Sequence, residues 1–266
     1  MPRIARRFLD CVVYIYPDEK SAASDEGFGG SGFVVARRVG AGYQTFVVTN
    51  RHVIEDSLDP VVRLNRINGD TKSFPTNRSW WKHHPEGDDL SAYQIEISTQ
   101  DHKQAWIWQD GFITHEILDR HLGLGSDVAM LGRFVGLNGL VTNTPIARFG
   151  SIATPNPIEE RNTFQSNQET FVIDCQSVPG YSGSPVIAFL PTTALAETAV
   201  ENSGFGPWLL GVDWMHFGNP EKVLSKDSGL EDFKPYIKGN SGLMGVIPAW
   251  RISTLLEKFT ESVAKR

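Results

Sequence analysis

Short apolar runs, each closed by Gly, Pro, Asn or Asp, recur along most of the chain. That punctuation predicts β-strands joined by tight turns, and so an all-β protein. Strands are expected at Cys11–Tyr16, Gly32–Arg37, Phe46–Thr49, Ala92–Ile97, Val128–Gly132, Phe171–Asp174, Pro185–Phe189 and Trp208–Asp213. Gly29-Gly-Ser-Gly-Phe33 gives the backbone freedom to turn before a strand, but it lacks the GK[ST] ending and following helix of a phosphate loop. Near the C-terminus the period changes. Ile252, Leu255, Leu256, Phe259 and Val263 fall at helical intervals after Pro248, which predicts a helix from Ala249 that packs on the body of the protein. Pro191–Pro207 and Phe217–Gly242 break the strand pattern and are expected to be long loops.

Composition narrows the class without naming a function. The 266 residues are 40% hydrophobic and 21% charged, as in an ordinary soluble protein with a sizeable core. A formal net charge of -6 argues against nucleic acid as a partner, because phosphate binding needs a concentrated basic surface. No apolar stretch approaches the ~18 residues of a membrane span, and Met1–Phe8 has basic residues with no apolar signal core behind them. A cytoplasmic protein with no membrane partner is expected. The two cysteines, Cys11 and Cys175, are expected to be reduced and buried. His83 and His84 would point to opposite sides of a strand with no further ligands at zinc spacing, so neither a metal nor a cofactor is expected.

Three residues carry candidate chemistry. His52 ends the apolar run Thr45–Val53, Asp89 precedes the strand-like Leu90–Ile97, and Ser182 sits in Pro179-Gly-Tyr-Ser-Gly-Ser-Pro185, too rich in Gly and Pro for a regular element. Asp88 competes with Asp89; the residue adjoining the apolar strand is preferred. A serine hydroxyl needs a base to become a nucleophile, imidazole titrates near neutral pH, and a carboxylate fixes its tautomer. The order His, Asp, Ser is that of the chymotrypsin type, and the spacings resemble the about 45 and 93 residues of that template. The nucleophile elbow of α/β-hydrolases requires Gly where Ser184 stands. Gly180 and Gly183 allow the N–H groups of Gly180 and Ser182 to converge as an oxyanion hole. These residues predict a serine endopeptidase acting on protein or peptide substrates. An esterase using the same three residues, and a silent binding module on a protease fold, remain open.

Gly30-Ser-Gly-Phe-Val-Val35, Thr49-Asn-Arg-His-Val53, Asp89-Leu-Ser-Ala92, Asp174–Pro185 and Gly245-Val-Ile-Pro248 resemble segments of the trypsin-like, chymotrypsin-fold serine peptidases, particularly the bacterial HtrA-like (Deg) catalytic domain. The resemblance implies one peptidase domain of two antiparallel six-stranded β-barrels, at about residues 8–115 and 116–248, with a C-terminal helix at about 249–264. It also implies that Gln176 and Ser177 lie near the base of the primary pocket. Val212, Asp213 and Trp214 would pair with substrate backbone, with Gly245 on the opposite wall. Gln176 carries no charge for Lys or Arg, so a small or medium apolar side chain is the expected specificity. His216 resembles the histidine of glutamate-specific relatives. Two departures stand out. Ser184 replaces the commoner Gly, and Tyr181 replaces the Asp that binds a new N-terminus in secreted zymogens, so activation by cleavage is not expected. No PDZ domain follows, and control by an activating partner is an open expectation.

Overall fold

The structure is a computed structural model that describes residues 3–25, 29–98, 100–103, 105–135, 142–189, 207–222 and 236–261. Short helices α1 (Arg6–Asp10), α2 (Glu19–Ser24), α3 (Arg51–Glu55) and α4 (His115–His121) decorate two sheets, and a longer helix, α5 (Ala249–Glu261), ends the described chain. Among the described residues no helix is long and apolar enough to cross a membrane.

The first sheet comprises β1 (Val12–Tyr16), β2 (Gly30–Val39), β3 (Gly42–Thr49), β4 (Val61–Asn65), β5 (Thr71–Pro75), β6 (Lys82–His83), β7 (Ser91–Gln94) and β8 (Ile107–Trp108). Its order is β5-β4-β1-β2-β3-β7-β6, with β8 parallel to β2. All five residues of β1 are buried because both faces of this sheet are covered. Val12, Tyr14 and Tyr16 join one hydrophobic cluster, and Val13 and Ile15 join the other. A strand buried on two sides reads as a continuous apolar run rather than as an alternation.

The second sheet comprises β9 (Asp127–Gly132), β10 (Ile146–Ile152), β11 (Ile158–Arg161), β12 (Asn167–Asp174), β13 (Pro185–Ala188), β14 (Trp208–Lys222) and β15 (Tyr236–Pro248). The ring β9-β13-β14-β15-β12-β10 closes through the β10–β9 pairing, giving a six-stranded antiparallel barrel with β11 attached to β12. The fold is therefore mostly β and of chymotrypsin type, with one correction. Only one of the two expected barrels closes by hydrogen bonding among the described residues. The first sheet stays open because its end strands give no ladder to close on: β6 has two residues and β5 turns Lys72 and Ser73 to solvent.

A second correction concerns Phe217–Gly242. Residues 217–222 and 236–242 are the outer arms of the β14–β15 hairpin, paired from Gly218↔Asn240 to Lys222↔Tyr236. Residues 191–206 and 223–235 lie outside the described residues. Helix α5 buries Ile252, Leu255, Leu256 and Phe259 against the body of the protein, as its periodicity predicts; Val263 lies outside the described residues. Phe259 meets Phe46 at 4.9 Å between ring centroids, and Arg37 donates to the Leu256 carbonyl at 2.6 Å. Both cysteines are free, buried thiols, and burial pushes them up to about 12 for Cys11 and about 11 for Cys175.

Candidate active site

Strand β3 ends at Thr49, and Asn50 leads into α3, which carries His52. The imidazole thus sits on a short helix one step beyond the strand tip, partly exposed. Nδ1 of His52 lies 2.5 Å from Oδ2 of Asp89, and the His52 backbone N–H donates to Oδ1 of the same carboxylate at 2.9 Å. Asp89 is buried and held from both sheets. Its N–H donates to Oε1 of Gln168 on β12 at 2.6 Å, while its carbonyl accepts from Asn50 Nδ2 at 3.0 Å. Burial alone would lower the His52 pKa, but the hydrogen bond and charge of Asp89, with smaller contributions from Asp213 and Asp56, raise it overall above the ordinary imidazole value.

Asp88 takes a different partner. Its carboxylate accepts from Arg251 of α5 at 2.5 and 3.1 Å and faces His84 at 3.4 Å, and Arg251 also reaches Glu86 at 2.8 Å. The helix at the end of the chain therefore fixes the acidic turn that presents Asp89. His83 and His84 diverge: His83 pairs with Ser91 Oγ at 2.7 Å, and His84 is buried beside Asp88.

His52, Asp89, Ser177, Gly180, Ser182 and Trp214 line one cavity of about 660 Å³. A larger hollow of about 770 Å³, around Arg3, Asp10, Arg66, Lys103 and Asn143, has no histidine on its walls. The loop that carries Ser182 is tightly fixed. Tyr181 N–H donates to Val178 O, Ser184 N–H to Tyr181 O, and Gly183 N–H to Asp213 O. Neither Gly180 N–H nor Ser182 N–H has an acceptor among the described residues. Gly180 adopts φ +100°, which an L side chain rarely tolerates. The serine in place of the commoner glycine at 184 is accommodated from the neighbouring strand: a Cβ on Gly132 would fall 1.9 Å from Ser184 Oγ.

The expected pocket residues divide. Ser177 and Trp214 line the cavity, and Ser177 Oγ donates to Asp213 Oδ2 at 2.7 Å. Gln176 is exposed, meets Arg148 at 3.4 Å and does not line the cavity. Val212 is buried in the barrel, paired with Pro185 and Ile247. Gly245 faces Met215 and Trp214, where a side chain would collide with both. His216 lines the cavity rim. Residues that the sequence reading missed include Gln168, Asn50 and Arg251, which orient the acid. Ser31 is another: its Oγ donates to Gly180 O and accepts from Arg133 N–H, both at 2.8 Å. Ser31 and Asn50 lie in the segments Gly30–Val35 and Thr49–Val53 that carry the resemblance, but their contacts, like those of Gln168 and Arg251, run across long sequence separations that no local pattern shows.

No curated protein matches the chain significantly. Solved structures do. The protease domain of MamO from Magnetospirillum magneticum, in its apo form, matches with TM-score 0.56 and 14% identity over 94% of this chain and 98% of that one. Rv3671c protease in an inactive form gives TM-score 0.53 and 16% identity over 95% and 90%. An HtrA-type protease solved with a tripeptide gives 0.55 and 16% over 95% of this chain and 60% of its own length. These likenesses establish a shared fold and agree with the HtrA-like resemblance. The family model of the trypsin-like peptidase domain matches residues 30–189, more than half of the chain and a span that includes His52, Asp89 and Ser182. The chain belongs to the trypsin-like peptidase family.

Proposed function

We propose that the protein is a serine endopeptidase working through an acyl-enzyme on Ser182. The observation that carries the reading is the His52–Asp89 contact at the wall of a cavity that Ser182 and two uncommitted N–H groups share. With Nδ1 turned to Asp89, Nε2 is left to take the Ser182 proton as Oγ attacks the substrate carbonyl. The carbonyl electrons move to oxygen, and the N–H groups of Gly180 and Ser182 receive that charge, where one donor contributes about 3–4 kcal/mol. His52 then returns the proton to the leaving amine. Water repeats the sequence on the ester, releasing the acid and restoring Ser182. Asp89 orients the imidazole and stabilises its protonated form. Protein and peptide substrates suit a cavity open at the seam of two lobes in a single peptidase unit.

A fluorophosphonate probe tests this directly. Wild-type protein is expected to be labelled, with Ser182→Ala and His52→Ala unlabelled. Labelling that survives Ser182→Ala removes Ser182 as nucleophile. A folded wild type that never labels makes the protein a binding module, and labelled protein that cleaves esters but no peptides makes it an esterase. The rate of labelling is expected to fall as pH drops, because protonated His52 cannot accept the serine proton. The midpoint should lie above the about 6.5 of free imidazole, in the direction set by Asp89.

A further inference from the structure

The hollow of about 770 Å³ lies at the far end of β1 from the cleft. Pro17, just past one end of the strand, lines the cleft, and Asp10, just before the other end, lines the hollow. At about 3.3 Å per residue the two are about 20 Å apart. The hollow is therefore a separate place on the molecule, walled by the N-terminal residues and α1, the end of β4 and residues 142–145.

Its charge is opposite to that of the chain. The net charge is -6, yet Arg3, Arg6, Arg66 and Lys103 line the hollow, with Asp10 as the single carboxylate among the lining residues. Asp10 is already engaged: Lys103 Nζ lies 2.9 Å from its Oδ1, and Arg6 Nε lies 3.8 Å from its Oδ2. Arg3 forms no ion pair among the described residues. Arg66 meets only Asp101, outside the lining, at 3.7 Å between partly exposed side chains. Its Nε is closed off from solvent and has no acceptor among the described residues. Buried donors are normally satisfied, so an unmet guanidinium N–H stands at the wall of a cationic hollow.

The frame around these cations is fixed. Asn143 N–H donates to Asn65 Oδ1 at 2.7 Å, and Asn65 Nδ2 donates to Asn143 O at 2.8 Å. Asn143 Oδ1 accepts from Arg63 Nε at 2.8 Å and its Nδ2 donates to Arg63 O at 2.6 Å, so its amide is spent on the buried arginine. Recognition of a ligand falls to the four cations. Ile4 and Leu9, packed against the core, and Pro145 add apolar surface to the wall. A wall held in this way binds without the cost of ordering itself.

We infer that the hollow docks a segment of a protein partner in which carboxylates stand beside apolar side chains. The carboxylates complement the cations, and Arg66 offers them a planar fork of donors. The apolar side chains cover Ile4, Leu9 and Pro145. Nucleic acid is the poorer fit, because its backbone is followed by a basic stripe rather than by a bounded hollow with an apolar wall. The site stands apart from Ser182 and goes beyond the peptidase reading without resting on it.

The test uses the full chain carrying Ser182→Ala, so that no probe is cut. It reads the fluorescence anisotropy of a short fluorescein-labelled peptide rich in Glu and Leu. Saturable binding is expected, weakened by about tenfold or more when Gln replaces Glu in the peptide and by about tenfold in Arg66→Ala and in Arg3→Glu, as when one hydrogen bond between charged groups is lost. Added salt should weaken it further, because the cations are partly exposed. Equal binding of the Glu and Gln peptides, no loss when Ser replaces Leu, or binding unmoved by both Arg66→Ala and Arg3→Glu overturns the site. Tighter binding of an oligothymidylate of equal charge overturns it in favour of nucleic acid. Arg161→Ala alters the cleft and leaves the hollow intact, so a loss confined to that variant places the peptide in the cleft and also overturns the inference. If one arginine variant does not fold, the other and the Glu-to-Gln comparison decide. Fluorophosphonate labelling of wild type is a separate readout. A protein that binds the peptide but never labels keeps the docking site and loses the peptidase reading, and one that labels but ignores the peptide loses the docking site alone.

Discussion

Two of the buried groups of charges among the described residues differ in how fully the chain pairs them. Arg63, Arg133 and Asp25 lie together with Tyr14 and Tyr16, closed off from solvent. Arg63 uses its whole guanidinium: Nη2 pairs with Asp25 at 3.0 Å, Nη1 donates to Ala22 O at 3.1 Å and Nε to Asn143 at 2.8 Å. Tyr16 OH donates to Asp25, and both guanidinium groups sit over the Tyr16 ring, at 4.8 Å for Arg63 and 4.6 Å for Arg133. In the cleft, His52 is partly exposed and Asp213 leaves an oxygen without a donor. Desolvation costs the same kind of energy in both places. Arg63 recovers it in full from partners the chain supplies, whereas Arg133 leaves Nε and Nη1 without a hydrogen-bond partner and relies on Asp25 and the Tyr16 ring. In the second, Asp213 Oδ1 is left without any partner among the described residues.

Breaking the cleft pair should have the largest effect. Asp89→Asn keeps the shape of the side chain but removes the charge opposite Nδ1 and permits the wrong tautomer. A fall in kcat/KM of about 10³–10⁴-fold is expected, with thermal stability little changed because Asn retains an acceptor for the His52 N–H. A loss of stability that matches the loss of rate would make Asp89 a structural residue like Asp25.

The reciprocal change belongs to the closed group. Asp25→Ala leaves two buried guanidinium groups without their shared carboxylate, at a cost of about 3–5 kcal/mol. Denaturant unfolding is expected to show that loss, while the folded fraction still reacts with a fluorophosphonate at the wild-type rate. Wild-type stability in this variant would break the contrast, since the cluster would then be no more complete than the cleft.

The sequence exposes the cleft better than the cluster, for a physical reason. His52, Asp89 and Ser182 each stand at the boundary between an apolar run and a turn, and such boundaries are local patterns. Strand β1 is equally legible because both of its faces are buried. Strand β4 is not, since Arg63 interrupts its apolar residues and its burial depends on Asp25, distant in the chain. Strand β11 (Ile-Glu-Glu-Arg) is largely exposed, and the outer arm of β15 holds Lys238, Gly239, Asn240, Ser241 and Gly242, so composition reads them as loop. Their ladders to β12 and β14 override that preference. Depth is the other hidden quantity. Gln176 and Asp213 both lie near the Ser182 loop, and that the first is exposed while the second is buried depends on how the barrel closes.

The mildest change bears on the seam between the two groups. Ser31 lies on β2, and its hydroxyl joins Gly180 O, in the candidate oxyanion loop, to the N–H of Arg133, in the closed cluster. Its backbone binds the same loop from the other side, with Ser31 N–H donating to Ser182 O at 2.8 Å. Ser31→Ala keeps that backbone clamp and removes only the hydroxyl, leaving a buried carbonyl and a buried N–H unpaired at a cost of about 1–3 kcal/mol. If the loop holds, the whole cost appears as lost stability. If the Gly180–Tyr181 peptide turns to find another partner, it breaks the hydrogen bond from Tyr181 N–H to Val178 O and loosens the loop that aims Gly180 N–H, and kcat falls by about tenfold with KM unchanged. The second result is expected, because a carbonyl flanked by a glycine at φ +100° can reorient with little steric hindrance. The pH midpoint should not move, since the His52–Asp89 contact is untouched. A change in KM alone would place Ser31 in substrate binding and separate it from the oxyanion loop.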